Sequence, residues 1–154
     1  ARKLAKKREY VYVFSTEEIP VFLQNYVAEV HVKMNDERLS KYLALIQGNH
    51  DFSLFRKKGS SEISTIRDIF AAHYDRFEYK VLTDLNKTIS MYRVTISGNA
   101  FLYRMVRNIM GCFFTMIDKN IALNEFKKAF EKQTKLFNFK PAPAEGLYLN
   151  KIFY

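Results

Sequence analysis

Apolar residues recur along this chain with two periods, and the switches between them mark out strands and helices. Over residues 9–14 every second side chain shares a face: Tyr10, Tyr12 and Phe14 lie opposite Val11 and Val13, which predicts a strand. Residues 35–47 instead carry Leu39, Tyr42, Leu43 and Ile46 at helical spacing, with Gly48 placed to act as a left-handed stop. Alternation returns over 76–83, where Phe77, Tyr79 and Val81 oppose Arg76, Glu78 and Lys80. A turn over 84–87 then leads into a partner strand whose Tyr92, Val94 and Ile96 share a face. Leu123, Phe126 and Phe130 predict a short helix over 123–132, and the chain closes on an alternating run at 147–154. Antiparallel strands interleaved with helices predict an α+β domain, a mostly antiparallel sheet with helices packed on one face.

The pattern is least ordinary from residue 99 onward. Asn99 is placed as the N-cap of a helix that is apolar on nearly every side up to Ile117. At 100° per residue, Arg104, Arg107, Asn108, Gly111 and Thr115 form its single polar stripe. A guanidinium buried with such a helix must meet an anion or cost several kcal/mol, and no carboxylate lies within a turn of Arg107. Either the stripe faces solvent, or its partner comes from elsewhere: a carboxylate of a neighbouring domain, or a phosphate, both of which the planar fork grips. Two arginines and an asparagine in the apolar run make a membrane span a poor fit.

Composition narrows the class. The 154 residues, 48% hydrophobic with 14 Phe and 10 Tyr, suffice for one domain with a substantial core, and 5 Gly and 3 Pro leave no linker or low-complexity stretch. Cys112, the only cysteine, sits in the apolar helix, which argues against disulfides and metal clusters and for a reducing, cytoplasmic setting. Twenty-five Lys and Arg against 16 acids leave a net charge of +9, which favours a polyanionic partner without distinguishing RNA, DNA or an anionic surface.

The usual catalytic patterns are missing: there is no GxSxG, HExxH, P-loop or Rossmann glycine motif. His31, His50 and His73 have no metal-ligand spacing, so no metal is expected. His50-Asp51 could be an acid–base dyad on paper, but neighbouring side chains rarely point the same way, and Asp51 is better placed to cap the DFSLF segment. Arg2, Lys3, Lys6, Lys7 and Arg8 run directly into Tyr10 and Tyr12, and a second basic loop, Arg56, Lys57 and Lys58, follows DFSLF. Positive charge beside flat rings suits phosphates and a splayed-out base, and so favours RNA; the plainer alternative is a solvated charged edge over core tyrosines. A general DNA-binding protein is disfavoured, since neither a helix-turn-helix nor zinc spacing is visible.

GNAFLYRMVRNIMG at 98–111 and APAEGLYL at 142–149 resemble the two C-terminal signature motifs of the tRNA pseudouridine synthase A family. REYVYVF at 8–14, GNHDFSLFR at 48–56 and the strand at 65–69 resemble three further family segments in the same order, so the likeness spans essentially the whole chain. It implies the C-terminal half of a pseudouridine synthase fold and an enzyme, free of cofactor and metal, that isomerises uridine to pseudouridine in the anticodon arm of tRNA. In that chemistry an aspartate attacks the flipped-out nucleotide, the glycosidic bond breaks, the uracil rotates and reattaches through C5, and the C5 proton leaves. Carried over by motif, Arg107 takes the place of the arginine that keeps this aspartate ionised. Tyr10 takes that of the tyrosine stacked on the uracil, and Leu147 that of the apolar residue against the base. Arg104, Lys6, Lys7, Arg8, Arg56, Lys57 and Lys58 are the residues expected to face RNA.

The family's Gly-Arg-Thr-Asp segment, bearing the aspartate, has no counterpart here, and none of the aspartates present stands in its context. The expectation is therefore a single domain, 1–154, that completes its site with the N-terminal half of the same polypeptide and is inactive alone. The resemblance also implies a homodimer in which one tRNA touches both subunits. The competing expectation is a stand-alone tRNA-binding or dimerisation module without catalysis.

Overall fold

A computed structural model describes residues 4–154. The strands are β1 (Lys7–Ser15), β2 (Ala28–Glu29), β3 (Gly48–Asp51), β4 (Ile66–Val81), β5 (Asp84–Gly98) and β6 (Leu147–Phe153), and the helices are α1 (Asp36–Leu45), α2 (Met105–Asp118) and α3 (Leu123–Lys132). They form one sheet in the order β2-β1-β5-β4-β3, with β6 also pairing β1. Every pairing is antiparallel except the short parallel contact of β1 with β2. β1 thus lies between β5 on one side and β6 and β2 on the other.

The alternation read from the sequence decides which face is covered. Tyr10, Tyr12 and Phe14 stand opposite Ile96, Val94 and Tyr92 of β5, and these residues with Ala72 of β4 form the face on which α1 and α2 pack. Phe14 stacks on Tyr92 at 4.8 Å and meets the edge of Phe114 from α2 at the same distance. α3 packs on the two helices in turn, with Phe126 5.6 Å from both Tyr42 and Phe113. Each fully buried ring contributes about 2 kcal/mol through the area it removes from water. A smaller cluster on the opposite face, Ile19, Val27, Val81, Ile89 and Met91, supports the far end of the β4–β5 hairpin.

Three local expectations need correction. The turn of the long hairpin falls at Leu82 and Thr83, because Val81 pairs with Asp84. Gly48 has the left-handed φ of 101° but opens β3; α1 itself ends on Ile46. The apolar helix begins at Met105, not near Asn99. Asn99 spends its side chain elsewhere, its Oδ1 accepting from the N–H groups of Asp68 at 2.9 Å and Ala100 at 2.8 Å. Residues 99–104 are thereby tied to β4 as an irregular segment, and Arg104 precedes the helix in a left-handed conformation, φ 60°. No described helix is long and apolar enough to cross a membrane.

Candidate active site and nucleic-acid face

The polar stripe is largely covered from Arg107 onward, while Arg104, ahead of the helix, is exposed. Asn108 is buried and donates to the Phe55 carbonyl at 2.8 Å. At Gly111 the chain crosses the helix so closely that a methyl group would collide with the Lys140 carbonyl oxygen and lie 2.9 Å from the Ala142 nitrogen. The crossing segment grips Arg107 twice: Ala142 N–H donates to the Arg107 carbonyl at 2.8 Å, and Arg107 Nε donates to the Ala142 carbonyl at 2.8 Å. The guanidinium is thus aimed while its two terminal nitrogens are left for another partner, and no described carboxylate forms an ion pair with it.

Arg107 points into a cavity of about 640 Å³. Tyr10 and Arg8 from β1, Leu147 from the start of β6, Glu62, and residues 100–104 form the rest of its wall. Phe101 braces Tyr10 edge-on at 4.9 Å. Leu147 is placed by its pairing with Tyr12, and Gly146 lets the preceding turn sit directly on the Val13 carbonyl. Beneath the cavity Tyr12 is fully buried and donates to the Pro143 carbonyl at 2.8 Å. Burial first, and then the Glu145 charge, push its hydroxyl well above the usual tyrosine range against the pull of Arg107. It therefore remains a protonated strut holding the Ala142–Pro143 crossing in place.

The three residues carried over by motif, Tyr10, Arg107 and Leu147, thus converge on one cavity from three elements. Arg8 joins them, with its Nη1 3.0 Å from the Asn99 carbonyl. Lys6 and Lys7 do not line it; the Lys7 ammonium sits 4.7 Å over the Phe153 ring. Arg2 and Lys3 lie outside the described residues. Arg56, Lys57 and Lys58 line a neighbouring groove of about 510 Å³ with Lys135, and Arg104 borders both spaces.

Two residues of this region were not singled out from the sequence. Glu62 Oε1 accepts from Tyr103 N–H at 2.8 Å, and the nearby Ser60 hydroxyl first, then the N–H groups of Tyr103 and of Glu62 itself, aided by the Arg56 charge, hold its carboxyl down at about 2. Tyr103 is 55% exposed between the two spaces. Glu62 lies in no motif and Tyr103 lies in the 98–111 motif without a role, because the two meet across 41 positions of sequence. His50 and Asp51 form no dyad: His50 Nε2 lies 2.7 Å from the Gln47 carbonyl, while Asp51 accepts from Ser53 N–H at 2.9 Å and Thr65 Oγ1 at 2.6 Å. Burial raises the Asp51 pKa, but these hydrogen bonds and Arg56 outweigh it and leave the carboxyl below its ordinary value. Arg67 pairs with neither Asp51 nor Asp68; its Nη1 donates to the carbonyls of Ser64 and Ile66.

Residues 43–154 match the family model described as tRNA pseudouridine synthase. The tRNA pseudouridine synthase A of Thermosipho melanesiensis is 33% identical over 97% of this chain, and that of Clostridium kluyveri 34% identical over all of it. The enzyme of the same name from Phytoplasma mali is 32% identical over 97%. The chain spans only 57%, 59% and 56% of these three relatives. With most of its length matched, and the matched part including Arg107 and Leu147, the chain belongs to the tRNA pseudouridine synthase family.

Proposed function

We propose that this chain is the C-terminal domain of a tRNA pseudouridine synthase and supplies one side of its uridine pocket. The observation that carries this is the Arg107 guanidinium, aimed into a cavity between Tyr10 and Leu147 with its terminal nitrogens uncommitted. In a base-flipping enzyme an aspartate from the N-terminal half of the polypeptide completes the pocket, and Arg107 holds that carboxylate ionised for attack on the nucleotide. Tyr10 stacks on the released uracil and Leu147 packs against it while it rotates to present C5. The basic residues Lys6, Lys7, Arg8, Arg56, Lys57, Lys58 and Arg104 bind the tRNA backbone. The assembly we propose is a cytoplasmic homodimer acting on the anticodon arm.

The test is tritium release from C5-labelled uridine in tRNA, by this chain with and without a separately made N-terminal half. Release only with both halves supports the assignment. Release by this chain alone places the nucleophile among its own aspartates and refutes the division of labour. Silence in both arms and from the intact polypeptide favours the non-catalytic tRNA-binding module.

A further inference from the structure

Between the uridine cavity and the basic groove stands one exposed ring. Tyr103 has Lys57 Nζ 5.2 Å and Arg104 Cζ 5.5 Å from its centroid. Its backbone N–H is held by Glu62, so the same carboxylate fastens the ring's segment to the loop that carries Arg56, Lys57 and Lys58. Arg104 beside it keeps a left-handed backbone with no side-chain cap. For a residue with a Cβ this conformation is strained and persists only where the surroundings demand it. What it secures here is an arginine bordering both spaces. The groove beyond carries Arg56, Lys57, Lys58, Arg104 and Lys135 and is lined by no described carboxylate. Its floor is fixed, since Gln133 Oε1 accepts from Leu54 N–H at 2.6 Å and Ser53 Oγ at 3.1 Å.

We propose that Tyr103 is a stacking platform for the nucleotide next to the target uridine, and that the groove running from Arg104 to Lys135 takes the phosphates that follow. The RNA strand then passes from the uridine cavity over Tyr103 and into the groove. Cations around an open aromatic face are what single-stranded recognition uses, because stacking tolerates any base while the charges follow the backbone. This rests on the uridine-pocket reading and extends it beyond the base being isomerised.

The sequence contains no tryptophan, so Tyr103→Trp introduces a single indole reporter. The chain is titrated with an unlabelled anticodon stem-loop while indole emission is followed, and with the same RNA carrying a fluorophore while anisotropy is followed. Quenching that saturates with the anisotropy is expected, with roughly tenfold weaker binding for Tyr103→Ala and little change for Tyr103→Phe. Lys135→Gln lowers the slope of log affinity against log salt by about 0.7, one phosphate contact. RNA that binds with emission unchanged, or a salt slope indifferent to Lys135, overturns the platform and groove but leaves the uridine pocket standing. No binding of RNA in either titration overturns both.

Discussion

Replacing Gly111 by alanine tests the crossing that aims Arg107. In an unobstructed helix interior this change stabilises by about 1 kcal/mol through backbone propensity alone. Here the added methyl meets the Lys140 carbonyl and lies 2.9 Å from Ala142 N and 3.0 Å from the Lys140 carbonyl carbon. Ordinary contact begins near 3.5 Å and the Lys140 carbonyl oxygen would lie far inside it, so the crossing segment must retreat by about 1 Å or more. That shift stretches the 2.8 Å bond from Ala142 N–H to the Arg107 carbonyl well past the useful range of about 3.2 Å. Overpacking costs about 1–3 kcal/mol and the weakened hydrogen bond about 1 more, against the gain of about 1 from propensity. The net is about 1–3 kcal/mol of lost stability, or a Tm lower by about 3–10 °C for a domain of this size. Thermal unfolding followed by far-UV circular dichroism measures it. An unchanged or raised Tm would refute the close crossing, and with it the account of how Arg107 is held.

Other consequences are equally measurable. In the intact synthase, Arg107→Lys keeps the charge but cannot both bond Ala142 and pair with a carboxylate through a planar fork, so turnover falls by about 100-fold or more while tRNA affinity persists. On the proposed mechanism the acid limb of its pH–rate profile moves upward, by about 1–3 pH units, because the attacking aspartate would lose the cation that keeps it ionised; equal losses of rate and binding would instead place Arg107 on a phosphate. Glu62 titrates near 2 when folded and near 4.5 when free, so its contribution to stability is complete above pH 4.5 and is lost as pH falls toward 2. Acid unfolding of Glu62→Gln should accordingly be less steep through that window, and parallel curves would count against the contact with Tyr103. Cys112 is buried, with its thiol pushed up to about 12, so iodoacetamide at pH 8 should modify it only after denaturation. Rapid alkylation of the native chain would contradict the packing of α2.

The periodicities carry β1, the second half of β4, β5, β6 and the three helices but not β2 or β3, and α3 is matched to the residue because Leu123, Phe126 and Phe130 serve one interior face. The start of α2 was not legible, because residues 99–104 are helical by pattern but bound by tertiary hydrogen bonds from Asn99 and Glu62. The hairpin turn was displaced for a related reason: Asp84 does accept from Asn86 N–H, as a turn residue would, yet the register of β4 on β5 places the reversal two residues earlier. At the site, the motifs pointed to Tyr10, Arg107 and Leu147, whose convergence only the fold could display. Tyr103 lies inside the 98–111 motif, which gives it no role, and Lys135 lies in none. They acquire meaning from the neighbours that distant segments bring to them.

The position of β1 bears on how the chain reaches this arrangement at all. One edge of β1 is closed by β5 and the other by β6, whose residues are made some 130 positions later on the ribosome. A nascent chain that has folded its long hairpin and α1 still exposes the hydrogen-bonding edge of Tyr10 and Tyr12 until residues 147–153 emerge. Closure by so remote a strand is intrinsically slow, since a long loop must be ordered before the pairing stabilises it. The cavity, with Tyr10 on the waiting strand and Leu147 on the arriving one, is therefore among the last features to form. A nascent chain would have no complete cavity to present until synthesis of this segment is finished.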